Sequence, residues 1–273
     1  MGNPTGSFIW YELMTTDAAA ASAFYDAVVG WTIAPEPDPL APGMDYRMIM
    51  RDVGRAAGGV LTLTPEMTAG GARPCWLGYI YVADVDDEVE KVLESGGATM
   101  MPATTMPGIG RMAMVTDPFG AAYYLMTPQP PEGSGEDQTS DVFTVDQPQT
   151  VRWNELVTPD DIAAVAYYTE HYGWTQEGAM PMGELGDYRF IQCDGVAIGA
   201  VMKKAEFMPV SGWSFYVGVD DIDRAVTAAK DNGGKVLGDP MEIPGGEFSV
   251  QLFDPQGAYF GLVGPRRQEG GNG

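Results

Sequence analysis

Residues 8–31 read FIWYELMTTDAAAASAFYDAVVGW, and residues 151–174 read VRWNELVTPDDIAAVAYYTEHYGW. Set against each other they agree at Trp10 and Trp153, Glu12 and Glu155, Asp17 and Asp160, and Gly30-Trp31 and Gly173-Trp174, all at an offset of 143. Asp45-Tyr46-Arg47 then matches Asp187-Tyr188-Arg189 at an offset of 142. Asp117-Pro118-Phe119-Gly120-Ala121 matches Asp254-Pro255-Gln256-Gly257-Ala258 at 137. A slowly drifting offset is what loop insertions and deletions leave behind, so the chain is a duplicated domain.

Each copy divides again. Residues 8–14 alternate around Trp10, Glu12 and Met14, the period of a strand. Thr16 or Asp17 can cap the helix that follows, which carries Phe24 and Val28 on one face and stops near Gly30. Extended pieces follow near 31–35, 46–52 and 57–63. The second half of the copy repeats the order: a strand from Leu77 to Val82, a helix opened by Asp84, and extended runs near 98–103, 111–116 and 121–127. The unit is βαβββ, twice per domain and four times per chain. The fold class is α+β, four βαβββ modules pairing into two domains whose curved, mostly antiparallel sheets enclose clefts. The first domain is expected over 1–127 (modules 8–63 and 76–127) and the second over 150–265 (modules 151–204 and 212–263). Residues 128–149, rich in Pro, Gly, Ser and acids, read as a linker, and 266–273 as a tail.

The chain has 273 residues, 38 acidic and 15 basic, a net charge of −23. A 45% hydrophobic share excludes wholesale disorder. The acidic field repels phosphate, so neither nucleic acid nor an anionic membrane surface is an expected partner. No run reaches the roughly 18 apolar residues of a membrane span. The opening residues show no basic-then-apolar leader, so a cytoplasmic location is expected. Cys75 and Cys193 then read as free thiols. The single histidine, His171, lies at a helix end and excludes any site that needs two imidazoles within one chain.

The elements TTD…AFYDAVVGW, VADVDDEVEKVLESGG and GRMAMVTDPFGAAYYL resemble the vicinal oxygen chelate superfamily. That superfamily includes glyoxalase I, extradiol dioxygenases, fosfomycin-resistance enzymes and bleomycin-binding proteins. The resemblance covers nearly everything from Phe8 to Val263 except the linker. It implies metal ligands on four inward-facing strand positions, and by spacing these fall on Trp10 and Trp153, near Leu77 and Ser214, on Tyr124 and Gly261, and within 58–63 and 199–204. Indole, aliphatic and phenol groups stand there, so no metal or other cofactor is expected, with a non-standard divalent site built on Glu12 as the alternative.

Glu12 and Glu155 are the candidate catalytic residues. Each shares a strand face with a tryptophan two positions away, and a carboxylate in a partly dry aromatic cleft has the raised pKa that suits a general base. The competing reading is that each is held in a structural ion pair. Trp10, Met14, Tyr124, Trp153 and Trp213 are candidate walls for a ligand. Arg47 and Arg189 either bind an anionic substrate or neutralise the two glutamates. Alternation puts Tyr46 and Met48 on the face opposite Arg47, without fixing which face is inward. Arg111, replaced by Phe248 in the second copy, is a further candidate contact. Three functions follow: a metal-free binding cleft for a cationic or planar aromatic small molecule, similar to bleomycin-resistance proteins; a glyoxalase-like lyase or isomerase that uses Glu12 or Glu155 as base; or a non-catalytic interaction module, which no sequence feature promotes. The assembly expected is a monomer or homodimer.

Overall fold

The structure, a computed structural model, describes residues 2–129, 139–205 and 211–267. The middle of the expected linker and nearly all of the expected tail lie outside the described residues. The first half runs β1 (Phe8–Thr15), α1 (Ala18–Val29), β2 (Thr32–Ile33), β3 (Tyr46–Met50), β4 (Ala56–Thr62), α2 (Pro65–Ala69), β5 (Cys75–Tyr81), α3 (Val85–Glu94), β6 (Ala98–Met106), β7 (Gly110–Thr116) and β8 (Ala122–Pro128). The second half comprises β9 (Val151–Thr158), α4 (Asp161–Tyr172), β10 (Thr175–Pro181), β11 (Asp187–Cys193), β12 (Val196–Lys203), β13 (Gly212–Gly218), α5 (Ile222–Asp231), β14 (Lys235–Val236), β15 (Met241–Glu242), β16 (Phe248–Phe253) and β17 (Tyr259–Gly264). The short α2, capped by the Thr64 hydroxyl, was not visible in the periodicity.

The first sheet has the order β2-β3-β4-β1-β5-β8-β7-β6, and the second repeats it as β10-β11-β12-β9-β13-β17-β16-β14. Both are mixed. Within each module the last strand returns beside the first in parallel, as β1 with β4 and β5 with β8, while the modules join antiparallel through β1 and β5. Helix ends are set locally. The Asp17 carboxylate accepts from the amides of Ala19 and Ala20 at the start of α1, and Gly30 closes it at φ 83, a conformation that costs a glycine little.

Each sheet has two unlike faces, because side chains alternate along a strand. Tyr11 and Leu13 of β1 are fully buried among helix residues such as Phe24 and Val28. Trp10, Glu12 and Met14 turn to the opposite, concave face. The helices carry the contact between the two halves, and the contact is reciprocal. Tyr25 of α1 donates to Asp254 at 3.1 Å, and its counterpart Tyr168 of α4 donates to Asp117 at 3.1 Å. Trp31 donates to the Gln149 carbonyl and Trp174 to the Gly6 carbonyl, each at 2.9 Å. Tyr11 donates to Asn154, its own equivalent in the repeat, at 2.7 Å. A pseudo-two-fold axis therefore passes between β1 and β9. No helix among the described residues is long and apolar enough to cross a membrane.

Candidate ligand-binding cleft

The concave face of the first sheet encloses a cavity of about 1570 Å³. Alternation fixes its walls: β1 supplies Trp10, Glu12 and Met14, β5 supplies Leu77 and Tyr79, and β8 supplies Tyr124. Ten of the 17 methionines line it, among them Met48, Met112 and Met114. Methionine is unbranched and polarizable, so such a wall adapts its shape to a large apolar guest and makes favourable sulfur contacts with aromatic rings.

Glu12 is the acid at the centre of this wall. On β1 it lies level with Gly59 of β4 and Leu77 of β5, and it is 3% exposed. Tyr79 donates to its Oε2 at 2.8 Å, while Oε1 has no hydrogen-bond partner. Loss of water raises the carboxyl from 4.5 to about 7, against the smaller opposing pull of the Tyr79 and Tyr124 phenols. Tyr79 is held upright by stacking on Tyr124 at 4.2 Å. Tyr46 lies over Gly59, where a Cβ would collide with its ring, and accepts from the Trp10 indole at 2.7 Å. Burial and the Glu12 charge push the Cys75 thiol to about 12, which disqualifies it as a nucleophile.

The same constellation in the second domain is closed. Tyr188 donates to Glu155 Oε2 at 2.8 Å, and the Tyr216 hydroxyl lies 3.2 Å from both carboxylate oxygens. The Gln251 amide donates to Tyr216 at 2.7 Å and reaches Glu155 Oε1 at 3.5 Å. One residue explains why Tyr216 lies down where Tyr79 stands. Gly261 replaces Tyr124, and a Cβ there would sit 2.2 Å from the Tyr216 ring. Burial raises the Glu155 carboxyl as well, with the two phenols pulling it back.

The structure divides the residues singled out in the sequence. Trp10, Glu12, Met14 and Tyr124 line the first cavity together. Trp153 and Glu155 share the second domain's closed cluster, the Trp153 indole donating to Tyr188 at 2.7 Å. The arginines lie elsewhere. Arg47 faces away from the cleft and bonds Asp45 at 2.7 Å and the Pro35 carbonyl, because alternation on β3 turns Tyr46 and Met48 inward. Arg189 pairs with Asp161 at 2.7 Å and with Asp187 at 3.3 Å, so neither arginine neutralises a cleft glutamate. Arg111 pairs with Asp86 of α3 on the outer face. Trp213 faces the helices rather than a cleft and donates to Tyr168 at 3.1 Å. Tyr79, Tyr46, Tyr188 and Tyr216 are site residues that the sequence reading passed over. The repeat contained the signal, since Tyr79 recurs as Tyr216 at the same offset of 137 as the Asp-Pro element.

Paired βαβββ modules that curve round a cleft define the class, and the sequence agrees. A profile of the Glyoxalase/Bleomycin resistance protein/Dioxygenase superfamily matches residues 7–123 and 149–262, and the chain belongs to that superfamily. It is 34% identical over 261 residues to "Putative glyoxylase CFP32" of Mycobacterium tuberculosis, covering 95% of each chain. It is 29% identical over 275 residues to "Anthracycline biosynthesis protein DauV" of Streptomyces sp. strain C5, covering 94% of this chain and 93% of that one. Among solved structures, the Mn(II)-bound glyoxalase from Novosphingobium aromaticivorans matches its fold with a TM-score of 0.63 at 13% identity, over 97% of this chain and 83% of that one.

The donor set of the cleft does not fit a catalytic divalent metal. Trp10 offers only an N–H donor, and Tyr79 and Tyr124 are phenols whose ionisation burial pushes far upward. Asp38 and Asp141 also line the cavity but form no metal-holding group with Glu12, where such metals need several oxygen, nitrogen or thiolate donors converging. Among the described residues, no three His, Cys, Asp or Glu side chains group to hold a metal ion. Tyr79 instead pairs with Trp10 across β1 and β5 and with Tyr124 across β5 and β8, so the row is aromatic over these three strands.

Proposed function

We propose that the first-domain cleft binds a planar, largely apolar aromatic small molecule without the help of a metal, and that the second domain is its structural counterpart. The observation that carries this reading is the cavity of about 1570 Å³, walled largely by methionines and tyrosines around the buried Glu12 carboxyl, with Asp38 and Asp141 also in its lining. That volume exceeds the roughly 300–1,000 Å³ of drug-sized ligand sites, so a fused polycycle with substituents fits. The similarity to proteins named for anthracycline biosynthesis points to the same ligand chemistry. Aromatic rings gain from Met sulfur and from stacking beside Tyr79 and Tyr124.

A second reading is favoured by Glu12 itself. A carboxyl near pH 7 with one oxygen unpartnered can take a proton from carbon next to a carbonyl, the step of a glyoxalase-like lyase or isomerase. Calorimetric titration of chelator-dialysed protein with 1-hydroxypyrene tests the first reading. Binding of about one molecule per chain, with a micromolar or tighter Kd unchanged by added divalent metal, is expected, and absence of binding sinks it. Deuterium exchange into an α-hydroxy ketone, lost in Glu12→Gln and retained in Glu155→Gln, is the signature of the second.

A further inference from the structure

The chain holds two versions of one acid site, and the closed version indicates what the open one lacks. Beside Glu155, the acceptor sites of the carboxylate are taken by neutral donors: the Tyr188 and Tyr216 phenols and, more distantly, the Gln251 amide. Beside Glu12 two of these are withdrawn. Met114 occupies the place of Gln251 on the corresponding strand, level with Tyr124 as Gln251 is level with Gly261. Tyr46, the counterpart of Tyr188, accepts from the Trp10 indole as Tyr188 does from Trp153, but unlike Tyr188 it makes no bond to the carboxylate. The result is a buried carboxylate oxygen with no hydrogen-bond partner, on a residue that lines the cavity next to the Tyr124 phenol. A buried acceptor left unpaired costs free energy until something donates to it.

We propose that the first cleft selects planar ligands carrying a neutral hydroxyl donor, and that this hydroxyl hydrogen-bonds Glu12 Oε1 in the place held by protein donors beside Glu155. The inference rests on the reading of the cleft as a site for planar apolar molecules. A neutral donor is favoured over an ammonium on two grounds. The donors that satisfy Glu155 are all uncharged, and an ammonium would have to be stripped of water against a methionine wall. The ring system to which the hydroxyl belongs gains its contact from Met114 and Tyr124, which line the same cavity. Met114 is thus the specificity-determining residue: it removes the internal donor and supplies apolar surface in its stead.

The test pairs 1-hydroxypyrene with 1-methoxypyrene, which keeps the rings and lacks the donor, on the full chain. Affinity for 1-hydroxypyrene is expected to exceed that for the methoxy compound by roughly tenfold at about pH 7.5. It is also expected to rise by roughly tenfold between about pH 6 and pH 7.5 as the carboxyl ionises, with no such rise for the methoxy compound. Met114→Gln, with its thermal midpoint followed as a control, should weaken 1-hydroxypyrene by roughly tenfold through restoring the internal donor. Equal affinity for the two pyrenes, or an affinity that falls with rising pH because protonated Glu12 donates instead, overturns the inference and leaves the aromatic cleft standing. Failure of both pyrenes to bind overturns the cleft reading as well. The ligand comparison needs no variant, so a misfolded Met114→Gln does not decide the matter.

Discussion

At the scale of single residues, Glu12 and Glu155 are the same letter at equivalent positions with different surroundings. The contrast predicts unequal responses to one substitution. A carboxyl whose folded pKa lies above its unfolded value binds its proton more tightly in the native state. Its contribution is complete below the unfolded pKa and is lost as pH rises. For Glu12 that window runs from 4.5 to about 7. The penalty above it is about 3 kcal/mol, the free energy of the shift. Glu12→Gln removes the penalty, so urea unfolding should find the variant gaining on the parent by about 3 kcal/mol between pH 4.5 and pH 8. Glu155→Gln should gain less over the same range, since burial raises its carboxyl too but its new amide faces phenol donors on both oxygens, at a cost of roughly 1–3 kcal/mol. Equal responses of the two variants would contradict the division into an open and a closed site. The sequence showed both glutamates and both tryptophans, because each lies in a repeated, alternating strand. It did not show the partners, which depend on single residues two and three strands away in the sheet, Tyr124 against Gly261 and Met114 against Gln251. Arg47 marks the same boundary, for alternation places it opposite Tyr46, yet only the packed sheet decides which face is concave.

At the scale of elements, strands and helix caps were legible because their causes are local. Period-2 patterning marked β1, and Asp17 and Asp84 marked the starts of α1 and α3. The docking of α1 on the second domain had no local cause to read. Its polar anchor is Tyr25, which donates to Asp254, a carboxyl that also accepts from the amides of Gln256 and Ala258. Tyr168 of α4 does the same for Asp117, which accepts from Phe119 and Ala121. Burial raises both aspartates, so each is poorly served by water and depends on its donors. Tyr25→Phe and Tyr168→Phe should each cost about 1–2 kcal/mol, and the double variant about the sum, because the two anchors share no partner. Guanidinium denaturation of the two single variants and the double variant measures this. A coupling of more than about 1 kcal/mol would mean that the two anchors act as one unit.

At the scale of the whole molecule, the duplication has produced one folding unit from two sheets. Phe8 of the first half packs within 5.5 Å of Trp213 and 5.8 Å of Trp174 in the second, ring centre to ring centre. Tyr11 lies 5.0 Å from Phe215, and Phe24 meets Phe260 at 6.2 Å. These rings are almost completely buried, so cutting the chain between the halves would expose a contiguous aromatic surface on each piece. It would also orphan the buried Tyr11 and Asn154, whose side chains satisfy each other across the axis. The net charge of −23 adds repulsion within each half that the shared core must outweigh. Residues 1–129 and 139–273 produced separately are therefore expected to lack a cooperative thermal transition, and to regain one, with the mass of a one-to-one complex, when co-expressed. Added salt should raise the midpoint of the rejoined pair by screening their like charges. A first half that melts cooperatively alone, near the midpoint of the intact chain, would show that its sheet and helices suffice to build the cleft. The second domain would then be an appendage rather than the wall against which the first is folded.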